Sequence, residues 1–177
     1  MACKVLAIVQ ARVGSTRLPG KVLKKVNGKP LIEILFHRLS KSKKIDKIIL
    51  ATSKSSENDS LTKMIEKLGY DVFRGAENDV LGRYFEAANK YQPKSVVRIT
   101  GDCPIIDPAI IDEVISLYEK ENADYASNTD PSTYPDGLDV EVFSFDSLKE
   151  ANKKAKTSHE REHVTPFIRT NNKLKNI

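Results

Sequence analysis

Strand-length apolar runs alternate with segments of helical spacing, and this alternation constrains the fold most. Residues 4–10 form a continuous apolar run of the kind found in buried parallel strands. Pro30 suits a first helical turn, and Leu31, Leu35 and Leu39 follow on one face. A second strand is expected over 47–52, then a helix carrying Leu61, Met64, Ile65 and Leu68 that Gly69 stops. Residues 70–73 read as a short strand, Leu81, Tyr84, Phe85 and Ala88 as a helix, and 95–100 as the next strand. Asp107 and Pro108 form an N-cap and first-turn pair before Ile111, Val114, Ile115 and Tyr118. Two more strands are expected over 124–127 and 138–143, and Asp146 can cap a helix running to about residue 156. At least four strand–helix alternations predict an α/β domain with a mostly parallel sheet. In such sheets ligands sit beyond the carboxyl ends of the strands. That rule singles out the loops at 11–20, 52–57 and 101–107.

Composition narrows the function classes. With 40% hydrophobic and 30% charged residues the chain has the balance of a soluble globule, and its apolar runs are far shorter than a membrane span. The apolar run near Met1 is too short for a signal peptide, and Cys3 and Cys103 are far apart with no C-x-x-C. A reducing cytoplasm is therefore expected, with no membrane. The net charge of +5 is unevenly spread. Residues 1–47 hold twelve Lys/Arg and two acids (+10), residues 48–145 nine and eighteen (−9), and residues 146–177 eight and four (+4). A uniformly basic chain would suggest nucleic acid. A basic head on an acidic body instead suggests a polyanionic small molecule, with a cation held by the body, against the plainer reading of an uneven solvated surface.

The loop after the first strand is the most informative segment. Gln10-Ala11-Arg12-Val13-Gly14-Ser15-Thr16-Arg17-Leu18-Pro19-Gly20-Lys21 gathers two glycines, two hydroxyls and three cations. Glycines let backbone N–H groups approach an anion, hydroxyls add donors, and Arg and Lys neutralise phosphate. It is not a Walker A loop: five residues separate Gly14 from Gly20, and Val22 follows Lys21 where Ser or Thr is required. Opposite it, Asp102 follows the strand at 95–100 directly. Mg²⁺ typically takes one or two carboxylates plus substrate phosphates and water.

The segment 10–21 resembles the opening signature of the cytidylyltransferases that activate 3-deoxy-manno-octulosonate and acylneuraminates. It is most similar to the spore-coat polysaccharide biosynthesis protein F branch. Three more segments extend the resemblance: Arg98-Ile99-Thr100-Gly101-Asp102-Cys103-Pro104, residues 134–143 (Y-P-D-G-L-D-V-E-V-F) and Arg161-Glu162-His163-Val164-Thr165-Pro166. The resemblance implies a Rossmann-like nucleotide-diphospho-sugar transferase fold, three-layer α/β/α with a mixed sheet. It also implies Mg²⁺-dependent transfer from CTP to an acidic sugar, in a homodimer. Arg12, Arg17 and Lys21 would then hold the triphosphate, with Ala11, Gly14, Ser15 and Thr16 completing the cradle. Asp102 would ligate Mg²⁺, and Arg83 and Thr100 would contact base or ribose. Tyr134, Asp136, Asp139 and Arg161 would meet the sugar. Asp139 and Glu141 alternate along the expected strand and share a face, which is either a sugar or second-metal surface or the solvent side of an edge strand. Family members generally continue into an Asp-Thr-x-Glu-Asp segment that supplies a second metal aspartate. None follows Pro166, so residues 1–177 are expected to be one domain, and three alternatives stay open: the sequence is truncated before that segment, another carboxylate such as Asp139 substitutes, or the protein is impaired.

Two other readings stay open. One is a nucleotide-binding module without turnover. The other is a zinc peptidase, since residues 159–163 match H-E-x-x-H. Against the peptidase, the stretch is charged throughout, the last fourteen residues contain no His, Asp or Glu, and Thr157 with Glu160 makes a capping box.

Overall fold

The computed structural model describes residues 3–15 and 18–177. Strand β1 (Val5–Gln10) leads through the loop at 11–20 into a 3-10 turn at Lys21–Leu23 and a small hairpin, β2 (Lys25–Val26) and β3 (Lys29–Pro30). Helix α1 (Leu31–Leu39), β4 (Lys47–Ser53), a 3-10 turn at Ser56–Asn58, α2 (Asp59–Lys67), β5 (Asp71–Gly75) and α3 (Val80–Asn89) follow. The second half contains β6 (Ser95–Thr100), α4 (Pro108–Lys120), β7 (Tyr125–Ser127), β8 (Glu141–Ser144), α5 (Phe145–Lys154), α6 (Ser158–His163) and α7 (Pro166–Thr170).

The main sheet has the order β5-β4-β1-β6-β8-β7. Strands β5, β4, β1 and β6 are parallel, whereas β8 is antiparallel to both β6 and β7. From β1 the chain first winds outward through β4 and β5, then crosses back to β6 on the other side. The reversal opens a crevice at the carboxyl ends of β1 and β6, where α/β sheets bind their ligands. Helices cover both faces. One core packs Ile32, Phe36, Leu61, Ile65, Ile111 and Ile115 of α1, α2 and α4 against the sheet. The other packs Leu81, Tyr84, Leu148, Val164 and Ile168 against Leu6, Ile8 and Phe143. This is the mostly parallel α/β sheet that the pattern predicts, with the three layers and mixed sheet that the resemblance implies.

Local signals explain most boundaries. Asp107 caps α4 by accepting from the Ala109 N–H at 2.8 Å, with Pro108 in the first turn. Gly69 stops α2 with φ of 87°, a conformation glycine adopts without steric penalty. Three details differ from expectation. Strand β8 begins at Glu141 rather than Leu138, so Asp139 lies in the segment leading into it. Strand β8 is also interior to the sheet, and Glu141 is buried rather than solvent-facing. Helix α5 is capped by Ser144, which accepts from the Ser147 N–H at 2.9 Å, rather than by Asp146, which sits in its first turn. Among the described residues no helix is long and apolar enough to cross a membrane.

Candidate active site

Alternation along β1 and β6 sets the floor of the site. Ile8 pairs with Arg98 and Gln10 with Thr100. Side chains of one strand two residues apart share a sheet face, so Gln10, Arg98 and Thr100 point to the α3–α6 side. A 600 Å³ cleft opens there, lined by Gln10, Ala11, Arg12, Ser15, Lys21, Arg98, Thr100, Asp102, Glu162 and His163 among others. The strand end and the loop meet closely. The Gly101 N–H donates to the Gln10 carbonyl at 2.7 Å, and a Cβ at Gly101 would lie 2.5 Å from the Ala11 Cβ. Only a glycine lets the Asp102 turn sit this near the loop.

The loop is folded on itself and anchored to its neighbour. Val13 N–H donates to Asn58 Oδ1 at 2.8 Å, Gly20 N–H donates to the Val13 carbonyl at 3.0 Å, and Gly20 has φ of 68°. Gly14 passes tight against Glu57, whose Oε2 would lie 2.7 Å from an added Cβ. Ser15 Oγ accepts from the Leu18 N–H at 3.4 Å. Thr16 and Arg17 lie outside the described residues. Lys21 Nζ donates to Asp102 Oδ2 at 3.1 Å across the cleft, both side chains remaining partly exposed. Burial pushes the Asp102 carboxyl up, but the hydrogen bond and charge of Lys21 outweigh it, with help from Thr100, so its pKa is lowered. Thr100 Oγ1 also lies 3.2 Å from Cys103 Sγ.

A deeper 390 Å³ recess adjoins this cleft, between Gln10, Arg12, Glu77, Asn78, Arg83 and Glu162. Arg12 reaches Glu77 at 3.9 Å. Arg83 is 2% exposed and is directed at backbone: its Nη1 donates to the carbonyls of Ala76 at 2.5 Å and Glu77 at 3.3 Å. It thereby builds the wall of the recess. Gln10 Oε1 and Arg83 Nε have no hydrogen-bond partner among the described residues.

A second cleft, of 310 Å³, shares Arg98, Thr100 and His163 with the first and adds Thr129, Asp139, Glu141, His159, Thr165 and Arg169. Arg98 and Glu141 form an ion pair across β6 and β8, with side chains 17% and 7% exposed. Burial pushes the Arg98 guanidinium down, and Glu141 more than restores it. Tyr125 Oη and Thr165 Oγ1 donate to Glu141 Oε1 at 2.8 and 2.7 Å. Asp139 has the opposite setting: burial first, then Asp136 and Glu141, push its carboxyl up.

The structure thus brings Ala11, Arg12, Ser15, Lys21, Thr100 and Asp102 to one cleft, with Gly14 in the loop behind it, and Asp139 to its neighbour. It places Tyr134 and Arg161 elsewhere, and Asp136 in the exposed loop near Asp139. Tyr134 Oη donates to Glu113 Oε2 of α4 at 3.2 Å, and Asp136 is exposed beside it in the loop. Arg161 donates twice to Asp79 (Nε to Oδ1 2.9 Å, Nη2 to Oδ2 2.5 Å), tying α6 to the cap of α3. Gly82 lies directly under that pair, and a Cβ there would collide with the Asp79 carboxylate. The H-E-x-x-H glutamate serves as a cap: Glu160 Oε2 accepts from Thr157 N–H at 2.9 Å and Oγ1 at 2.8 Å. Among the described residues no three His, Cys, Asp or Glu side chains converge as metal ligands. Arg98, in the middle of a mostly apolar strand, is one of the site residues to which the sequence alone assigns no role, with Gln10 and Glu162. A charge in a buried run was its signal.

A family model for cytidylyltransferases matches residues 6–176. The chain belongs to the cytidylyltransferase family. Its family relatives include an uncharacterized protein of Methanocaldococcus jannaschii, 44% identical over 97% of this chain and 69% of its own length. Spore coat polysaccharide biosynthesis protein SpsF of Bacillus subtilis is 37% identical over 93% of this chain and 70% of its own length. A 3-deoxy-manno-octulosonate cytidylyltransferase of Hydrogenovibrio crunogenus is 33% identical over 73% of this chain, which spans about half (52%) of that relative. A cytidylyltransferase structure from Leptospira borgpetersenii superposes with a TM-score of 0.92 at 33% identity, covering 98% of this chain and 74% of the other. The CTP complex of CMP:2-keto-3-deoxy-manno-octonic acid synthetase shares the fold, with a TM-score of 0.75 at 16% identity over 98% of this chain and 89% of that one.

Proposed function

We propose that this cytidylyltransferase-family chain transfers CMP from CTP to an acidic sugar for surface or spore-coat polysaccharide. The observation that carries this is the meeting of Arg12, Ser15 and Lys21 with the Asp102 carboxylate in one cleft at the switch point of the sheet. The relatives named for octulosonate transfer and spore-coat polysaccharide support the substrate class. In the reaction a sugar hydroxyl oxygen forms a bond to the α-phosphorus. The bond from that phosphorus to the bridging oxygen breaks, pyrophosphate leaves with the electron pair, and the hydroxyl proton passes to solvent. Such chemistry depends on positioning and charge neutralisation. Arg12 and Lys21 neutralise the triphosphate, Ser15 adds a hydroxyl, and the recess walled by Arg83 takes the nucleoside.

The donor set fits Mg²⁺: Asp102 is a hard oxygen ligand kept ionised by Lys21, at the place where phosphates would complete the shell. When bound, Mg²⁺ would supply charge stabilisation on the phosphate oxygens. Asp139 is the other candidate carboxylate. The same reading includes a cytoplasmic setting, consistent with two free cysteines, and a homodimer that light scattering would detect.

The test is pyrophosphate release from CTP with Mg²⁺ and an octulosonic or nonulosonic acid. Silence across such sugars and all four nucleoside triphosphates would overturn it. The second reading, left open by the sequence, is a nucleotide-binding module without turnover. It predicts calorimetric CTP binding, lost in Lys21→Ala, with no pyrophosphate released.

A further inference from the structure

The second cleft contains a pair of side chains to which the proposed chemistry assigns no role. His159 and His163 lie one turn apart on α6, their ring centroids 4.6 Å apart and the rings tilted by 51°. Both are exposed, and both line the second cleft. His163 also lines the first cleft, so it stands where the two meet.

The two arginines of the second cleft are already paired with carboxylates, although Arg98 Nε has no hydrogen-bond partner among the described residues. Arg98 is paired with Glu141, and Arg169 with Asp130. The Thr165 hydroxyl hydrogen is given to Glu141. At the other end Asp139 is an acceptor with negative neighbours, Asp136 and Glu141. An incoming carboxylate is repelled at that end and finds imidazole N–H donors at the opposite one, whereas sugar hydroxyls can donate to Asp139. The chemistry of the acceptor adds a positional requirement. In a 2-ulosonic acid the carboxylate sits on the same carbon as the hydroxyl that attacks phosphorus. The group that reads it must therefore adjoin the cleft that holds the phosphates, and His163 does.

Resting on the reading of this chain as an acidic-sugar cytidylyltransferase, we infer that His159 and His163 together bind the sugar carboxylate and set the preference for acids over neutral sugars. Their support is built in. The capping box of Thr157 and Glu160 starts α6, and Val164, with φ of 72°, turns the chain so that Thr165 reaches Glu141. The Arg161–Asp79 pair fixes the helix to α3.

Kinetics and calorimetry on the full chain test this with 3-deoxy-manno-octulosonate, N-acetylneuraminate and their methyl esters. For His159→Ala we expect the KM for the acid to rise at least tenfold and its advantage over the ester to shrink by a similar factor. The Kd for CTP and the melting temperature should stay unchanged. His163→Ala should raise the KM for the acid and shrink its advantage over the ester by similar factors, and His159→Gln, which keeps an N–H donor, should recover part of the loss. An acid KM within twofold of wild type in His159→Ala, or an acid-over-ester preference that survives the double variant, overturns the inference. If turnover is absent, direct calorimetric binding of the acids gives the same comparison, and failure of the wild type to bind any of them also overturns it. Failure to bind CTP, by contrast, brings down the proposed function: it strikes the first cleft and leaves the acid titration to report on the histidines.

Discussion

At the scale of single residues, the site depends on a few side chains with different kinds of support. Lys21 and Asp102 are both partly exposed, so their pair adds only about 0–1 kcal/mol to stability. Asp102→Asn is therefore expected to melt within a few degrees of wild type while losing more than about 100-fold in pyrophosphate release, a size typical of lost electrostatic stabilisation. Gly101 has the reverse balance, since it touches no substrate yet admits no Cβ. Gly101→Ala should destabilise by about 1–3 kcal/mol through overpacking against Ala11 and the Gln10 carbonyl, read by urea unfolding. The position of the loop at 11–20 beside the cleft was legible because it follows the first strand of a parallel sheet and gathers glycines, hydroxyls and cations in one short stretch. The role of Arg161 was not. Its partner Asp79 lies 82 positions away, and no local pattern reports such a meeting. The same holds for Tyr134, whose hydroxyl is directed to Glu113 on another element.

At the scale of elements, local signals were read well and long-range ones were not. The α4 cap, the Gly69 stop and the Thr157–Glu160 capping box all act within four residues, and all are present. The start of β8 was misplaced by three residues because Leu138, Asp139 and Val140 continue its apolar alternation. Pairing with β6 from Arg98 to Ser95 decides where that strand begins. The α3–α6 contact yields a pH prediction. Burial pushes the Asp79 carboxyl up, yet the hydrogen bonds and charge of Arg161, with the Gly82 N–H, bring it below its ordinary value. A carboxylate lowered in the folded state contributes stability above its unfolded pKa of about 3.9 and loses it as pH falls through the lower folded value. Stability should thus fall with acid below about pH 4. Arg161→Ala should lower stability at pH 7 by about 1 kcal/mol while flattening that acid limb, which denaturant midpoints across pH would show.

At the scale of the whole molecule, the fold class was legible from alternation alone, but the strand order was not. Nothing local says that β8 inserts between β6 and β7, or that it runs against its neighbours. That insertion brings Glu141 to Arg98 and creates the buried network with Tyr125 and Thr165. Glu141→Ala should cost about 3–5 kcal/mol, because it strands a largely buried guanidinium. Thermal unfolding measures it, and Glu141→Gln, which keeps an acceptor for Tyr125 and Thr165, should lose less.

The antiparallel course of β8 has a consequence for inheritance. Apart from Glu162 and His163, the residues around the first cleft come from the stretch ending at Asp102, whereas the second cleft draws on residues 129–169 together with Arg98 and Thr100. On the proposed function the chain is therefore nearly divisible into a donor half and an acceptor half, joined through the β6–β8 seam. On the same proposal, changes in the second half away from Glu162 and His163 would alter which acid is accepted while leaving the lining of the first cleft intact. One ancestral fold could thus supply a panel of enzymes that share a common donor.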